Sequence, residues 1–190
     1  MDCVKGKKDE DATLLTLTIP SLSFQLAFIM DNQTTEAVVK TLNKIETSLG
    51  YELFNQIFPV ILTDNGSEFA DIPGMEASCV TEKQRTKIFF CEPNRSDEKG
   101  SCENHHKMIR YIIPKGSSLE PYTQADITLM MNHINSYKRK ALFGLSAYNL
   151  AQNALPDDFF TLLGIEEIPA EKIILRPSLI SSQQSNCNIL

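Results

Sequence analysis

Asp64 stands where an apolar run, Phe58 to Leu62, gives way to Asn65-Gly66. A carboxylate at the C-terminal edge of a buried strand, beside a tight turn, projects into the crevice where open α/β sheets bind ligands. The same Asp-Asn-Gly sequence also makes an ordinary Asx turn, and both readings stay open on the residues alone. Glu103 follows Gly100-Ser101-Cys102 in the first turn of an expected helix, a place that favours an acid through capping and the helix dipole. Lys107 and Arg110 come at i+4 and i+7, so all three share one helical face. One acid followed by two cations suits a metal ligand bordered by phosphate contacts. A solvated, salt-bridged face has the same pattern. Asp2 lies on the first candidate strand and carries no signal of its own. His105 and His106 point about 100° apart on a helix, so they cannot both face one metal site, and solvent or core is their expected surrounding. Cys91, Cys102 and His105 lack the usual zinc-ligand spacing.

These residues need a scaffold, and the hydrophobic pattern supplies one. Met1 to Val4, Thr13 to Ile19 and Phe24 to Met30 read as strands. Pro20 closes the second, and the short link Pro20-Ser21-Leu22-Ser23 makes an antiparallel hairpin with the third. From Thr34 the period changes: Ala37, Val38, Leu42, Ile45 and Leu49 fall at helical spacing behind a threonine N-cap. Phe58 to Leu62 and Lys87 to Cys91 are short strands separated by a loop containing Pro73-Gly74. Helices are expected from Ser101 to Ile113, stopping at Pro114-Lys115-Gly116, from Thr123 to about Lys140, and from Ser146 to Ala154. The chain after Leu155 is acidic and then rich in Ser, Gln and Asn, and its end is expected to be disordered. The order of elements predicts a mixed α/β layer architecture.

The 190 residues, 42% hydrophobic and 22% charged, have an ordinary globular composition and can bury a full core without disulfides or metal staples. No apolar run reaches the roughly 18 residues of a transmembrane helix, and the first residues hold no apolar signal core. Five cysteines without a CxxC pair read as reduced cytosolic thiols. The net charge of −6 argues against a whole-surface nucleic-acid binder. Its distribution differs: residues 1–82 carry 5 basic and 13 acidic groups, residues 83–140 carry 11 and 6, and residues 141–190 carry 2 and 5. A positive block between negative ones can steer an anionic polymer to one face.

Taken together, the carboxylate-bearing segments resemble a known family. Thr63-Asp64-Asn65-Gly66-Ser67-Glu68-Phe69-Ala70 resembles the second-aspartate motif of the retroviral-integrase-like transposases. Pro93 to Gly116, with Gly100, Glu103-Asn104, Arg110 and Pro114-Lys115-Gly116, resembles the block around their catalytic glutamate and points to the IS-thirty type of insertion-sequence transposase. Asp2-Cys3-Val4 looks like the first-aspartate strand. Asn135-Ser136-Tyr137-Lys138-Arg139-Lys140, with Leu142-Phe143-Gly144 and Ser146-Ala147, resembles the closing Asn-x-x-Pro-Arg-Lys and Thr-Pro elements. The resemblance covers roughly residues 1–152 in the right order.

The resemblance implies an RNase H-like α/β fold with three antiparallel strands first and later strands added parallel to the first. It implies a catalytic core over residues 1–155, a C-terminal tail over 156–190, and no N-terminal helix-turn-helix DNA-recognition region, as in an excised domain or a truncated gene product. The implied activity is metal-dependent DNA cleavage and strand transfer, with Asp2, Asp64 and Glu103 as catalytic ligands of two Mg²⁺ (or Mn²⁺) ions. Asn65 would shape the turn, and Asn65, Lys107, Arg110, Lys138, Arg139 and Lys140 would contact DNA. The implied partners are the DNA of the element ends and target, with a homodimer or higher oligomer on DNA, no membrane, and a cytoplasmic, nucleoid-associated location. The alternatives are a non-catalytic nucleic-acid-binding remnant and an RNase H-like nuclease that cuts without joining.

Overall fold

The hairpin expected from the sequence forms with the expected bounds. In the computed structural model, which describes residues 1–91 and 106–180, β1 (Asp2–Lys5), β2 (Thr13–Ile19) and β3 (Phe24–Met30) make an antiparallel sheet in that order. Pro20 starts a 3₁₀ turn over Pro20–Leu22, and Ser23 adopts a left-handed conformation (φ 48°) that sends the chain back into β3. The registers place Asp2 opposite Thr16, and Thr16 opposite Ala27. The Thr13 hydroxyl donates to the Val4 carbonyl at 3.1 Å and the Thr16 hydroxyl to the Asp2 carbonyl at 3.0 Å. Both buried threonines of the central strand are thereby satisfied by β1.

Successive residues of β2 face opposite sides of the sheet, and helices cover both. Leu15 and Leu17 point to a core closed by α1 (Thr35–Leu49) and α2 (Tyr51–Ile57); Leu14 points to a second core. The second core holds Ile109 and Ile112 of α4 (helical residues 106–112) and Ile127, Met130 and Ile134 of α5 (Gln124–Ser136). Thr34 caps α1, accepting from the Ala37 amide at 3.3 Å, and Gly50 ends it at φ 77°. Thr123 and Asp126 form a capping box that starts α5.

β4 (Val60–Thr63) and β5 (Lys87–Phe90) pair in parallel as a second, two-stranded sheet. Ile61 and Ile88 enter the α1 core, while Val60, Leu62 and Phe89 stay exposed on the other face. α3 (Ile72–Glu76), begun by Asp71 and Pro73, occupies part of the segment expected as a loop. Behind it Arg85 is fully buried against Glu46 of α1 at 3.0 Å.

α5 lies along the outer edge of β3 and meets it through two carboxamides. Asn135 accepts from the Gln25 amide (3.2 Å) and donates to the Gln25 carbonyl (2.8 Å). Gln124 accepts from the Ile29 amide (3.0 Å) and donates to the Ala27 carbonyl (3.1 Å). The helix ends at Ser136, earlier than the Lys140 expected, because Tyr137 turns extended and Arg139 bonds onward to Leu145. α6 (Ala147–Gln152) follows, capped by Ser146 and Asn149.

The chain does not leave the body at Leu155. Phe159 and Phe160 of α7 (Asp157–Leu162) are buried against Phe24, with ring centroids 6.1 and 6.4 Å away. Leu179 and Ile180 fill the second core, and the Ile174 amide donates to Nδ1 of buried His133 at 3.1 Å. Residues 157–180, expected as a tail, supply apolar groups to both cores. The Ser/Gln/Asn-rich end, residues 181–190, lies outside the described residues.

Candidate catalytic site

The N-terminus joins the two sheets. The Met1 amino group donates to the Leu62 carbonyl of β4 at 2.6 Å, which sets the start of β1 beside the end of β4. Asp2 opens β1, and Asp64 is the first residue after β4. Asp64 Oδ1 accepts the Gly66 amide at 3.1 Å, so this residue does form the Asx turn. Its side chain is half-buried, as is that of Asp2, and Asn65 is exposed.

Cys3 follows Asp2 on β1, and the surroundings of its thiol include both aspartates. Burial above all, then the negative charges of Glu68, Asp2 and Asp64, push it far above the ordinary thiol value. A protonated thiol is a poor metal ligand and a poor nucleophile. Asp64 and Glu68 stand close together across Gly66. Gly66 permits this crowding. A Cβ there would lie 2.5 Å from Glu68 Oε2 and 3.1 Å from Asp64 Oδ1, so the Glu68 carboxylate would have to swing aside. Glu68, on the 3₁₀ turn Ser67–Phe69, also accepts a hydrogen bond from the Gln33 carboxamide.

Asp2 is held from two directions. Its Oδ1 accepts the Cys3 amide at 2.8 Å, and its Oδ2 lies 3.8 Å from His106 Nδ1. His106 Nε2 is 3.2 Å from the Thr16 hydroxyl, whose own hydrogen goes to the Asp2 carbonyl. The Thr16 oxygen is thereby left to accept, an arrangement that suits a proton on Nε2. His106 is thus neither in solvent nor in an apolar core, as was expected of it, but is half-buried against the first aspartate.

Glu103, with Cys102 and His105, lies outside the described residues. Among the described residues no group of three or more His, Cys, Asp or Glu is placed to hold a metal. The expected DNA-contact residues divide by exposure. Lys107 on α4, and Lys138 and Lys140 beyond α5, are exposed. Arg110 donates from Nη2 to the Lys5 carbonyl at 2.8 Å, with Nη1 buried and without a hydrogen-bond partner among the described residues, and burial lowers its guanidinium below the ordinary value. Arg139 turns inward and donates from Nη2 to the Ile134 carbonyl at 3.3 Å, capping the end of α5.

Glu68 and His106 were missed as site residues by sequence reasoning. Glu68 sits inside the quoted Asp-Asn-Gly-Ser-Glu segment, four residues from Asp64, and that proximity was its only signal. His106 needs the packing of α4 on β1 and β2 before its role is visible.

No protein-family model matches the chain. Curated relatives include transposases of insertion sequences. It is 37% identical over 82 residues, 43% of this chain, to the transposase for insertion sequence element IS4351 of Bacteroides fragilis. It is 23% identical over 141 residues, 74% of this chain, to the transposase for IS1086 of Cupriavidus metallidurans, and 36% over 56 residues, 30% of this chain, to the transposase InsI for IS30A of Escherichia coli K12. The chain is a relative of the insertion-sequence transposases. In three dimensions it resembles the crystal structure of the catalytic core domain of BIV integrase, with a TM-score of 0.53 and 12% identity over 80% of this chain and 93% of that one. The fold is that of an integrase catalytic core, RNase H-like, with the three antiparallel strands first. The IS-thirty resemblance is matched by the IS30 transposase. The matched segments span 24%, 39% and 15% of the three relatives' own lengths. Among the described residues no helix is long and apolar enough to cross a membrane.

Proposed function

We propose that this transposase-related chain is a catalytic core for metal-dependent DNA cleavage and strand transfer, with Asp2, Asp64 and Glu103 as its ligands. The observation that supports this reading is the bond from Met1 to the Leu62 carbonyl, which sets Asp2 of β1 beside the end of β4, where Asp64 follows, although the two are far apart in sequence. Their carboxylate oxygens are the hard donors that Mg²⁺ or Mn²⁺ prefers. Two carboxylates form a partial set, which Glu103 would complete. A bound pair of divalent ions would supply Lewis-acid activation of an attacking hydroxyl and stabilisation of the leaving oxygen.

The chain's own groups prepare that site. His106 and the Cys3 amide fix the rotamer of Asp2, and the Asx turn fixes Asp64. Asn65, exposed at the tip of that turn, would meet the DNA backbone. Lys107, Lys138 and Lys140 offer exposed cations to phosphates; Arg110 and Arg139 hold the elements that carry them and contribute their remaining charge. The partner is DNA, the element ends and a target, with oligomerisation on that DNA and a cytoplasmic, nucleoid-associated location.

Metal binding tests this directly. In water-proton relaxation titrations with Mn²⁺, Asp64→Asn is expected to weaken binding by at least about tenfold. Equal binding by wild type and Asp64→Asn would overturn the ligand assignment. Nicking without joining would favour the nuclease alternative, and metal-free DNA binding without nicking the non-catalytic one. DNA affinity is expected to fall steeply with salt and to be indifferent to sequence, with a shallower salt slope in Lys107→Ala. An unchanged slope would return Lys107 to an ordinary solvated face.

A further inference from the structure

The segment between α5 and α6 is tightly built yet ends in an unprotected aromatic ring. Arg139 donates its amide to the Leu145 carbonyl (3.0 Å), and its carbonyl accepts from Leu142 (3.0 Å) and Gly144 (3.1 Å). The 3₁₀ turn Lys140–Leu142 lies inside this ring of bonds. At its tip Phe143 is 99% exposed and adopts a left-handed conformation (φ 55°), which a β-carbon disfavours and glycine accepts freely. A strained, fully solvated phenylalanine contributes nothing to the fold that a glycine would not supply better. Among the described residues nothing covers its ring, which leaves the ring open to a ligand.

The surroundings indicate which contact. Lys138 and Lys140 are exposed within five residues of the ring. Lysine is depleted in protein–protein interfaces, whereas an exposed ring among cations is the pattern of a base-stacking site on nucleic acid; Tyr137 and Leu145 of the same loop are 44% and 45% exposed. The base of the loop is close to the candidate site. Asn135 bonds to Gln25, two residues along β3 from Ala27, which lies across the sheet from Asp2 through Thr16. Strand spacings put Gln25 about 12 Å from Asp2, less than the width of a duplex.

We propose that the loop from Tyr137 to Leu145 is a DNA-distorting contact: the Phe143 ring wedges against a base at an unstacked step while Lys138 and Lys140 hold the flanking phosphates. The hydrogen-bonded frame presents the ring in one position, so little ordering is required on binding. This rests on the reading of the chain as a DNA-acting core, and assigns a residue that reading does not use.

The test uses the whole chain and a duplex with 2-aminopurine in a central TA step, which is easily unstacked. Wild type is expected to bind, followed by anisotropy, and to raise the 2-aminopurine fluorescence. Phe143→Gly is expected to bind about five- to a hundredfold more weakly without that rise, and to melt no lower than wild type because the left-handed strain is relieved. Phe143→Trp is expected to restore both signals. Wild-type affinity and brightening in Phe143→Gly would overturn this proposal alone. So would self-association, in sedimentation velocity, that Phe143→Gly abolishes while DNA binding is unchanged, since the ring would then meet a second copy. Failure of wild type to bind DNA would overturn both this proposal and the reading beneath it.

Discussion

Replacing Glu103 by glutamine is expected to lower Mn²⁺-dependent nicking and joining of DNA by at least about a hundredfold, with the melting temperature unchanged. The substitution is nearly isosteric, and a first-turn glutamine still caps a helix. What it removes is one anionic oxygen donor from the proposed set, whose Asp2 and Asp64 stand at the start of β1 and just past the end of β4. Capping and ligation are thereby separated: a cap lost would appear in the melt, a ligand lost only in the turnover. Activity retained in Glu103→Gln would assign the residue to capping and remove it from the catalytic set. A 2-aminopurine signal that persists in Glu103→Gln would show that DNA still docks when chemistry has stopped.

The largest expected loss of stability is at Arg85. Its Nε donates to the Met75 carbonyl (2.8 Å), Nη2 to the Gly74 carbonyl (3.1 Å), and Nη1 to both Asn43 (2.6 Å) and Glu46 (3.0 Å). Glu46 is also fully buried and accepts from the Ser78 hydroxyl and, at 2.9 Å, from the Cys79 amide. Arg85→Met keeps the volume but leaves a buried carboxylate without its cation, which costs roughly 3–5 kcal/mol in denaturant unfolding. The double substitution Arg85→Met with Glu46→Leu is expected to regain most of that loss, because no uncompensated charge remains. A double variant as unstable as the single one would show that the hydrogen bonds of Arg85 to Gly74 and Met75 matter more than the charge.

Acidity probes the same network. Burial raises the Glu46 carboxyl, but the bonds from Ser78, Cys79 and Arg85 outweigh it and hold the group below its ordinary value. A carboxyl depressed in the folded state contributes stability above its unfolded pKa and loses it as pH falls through the folded one. Stability is therefore expected to decline below about pH 4.5, and less steeply in Glu46→Gln, as melts at successive pH values would show. The network matters beyond stability. It fastens α1 to the segment 71–91, which lays β5 beside β4 and so supports the strand that ends at Asp64.

The parts of this fold legible in the sequence are those with a repeating pattern. β2 and β3 are long enough for their apolar and β-branched content to mark both ends, and Thr34 marks the start of α1. α2 was not visible because Tyr51–Ile57 completes only about two turns. α3 was hidden by Pro73-Gly74, a pair that usually signals a loop; here proline occupies the first turn, where its missing amide costs nothing. Phe159 and Phe160 had no periodicity to betray that both would be buried. At the site, the motif around Asp64 could be read in one dimension. His106 beside Asp2, and Glu68 beside Cys3, depend on how α4 and the Ser67–Phe69 turn pack on β1, which no local pattern encodes. Arg85 stands in a polar stretch whose residues carry no sign of burial, and only the buried Glu46 across from it gives it meaning.

The two carboxamides along β3 have a consequence for how this chain fails. An outer strand with free amides and carbonyls is a template for further strands, and Phe24–Met30 is apolar at every position but Gln25. Asn135 and Gln124 occupy those backbone groups as a neighbouring strand would, from a helix that cannot propagate the pairing. They act as a stopper at the rim of the sheet. Partial unfolding that lifts α5 away uncovers the seven-residue rim at once, together with the apolar face that Ile127, Met130 and Ile134 had covered. The route from native chain to cross-β aggregate thus runs through the detachment of a single helix, and the amides that guard against it lie at the helix's two ends.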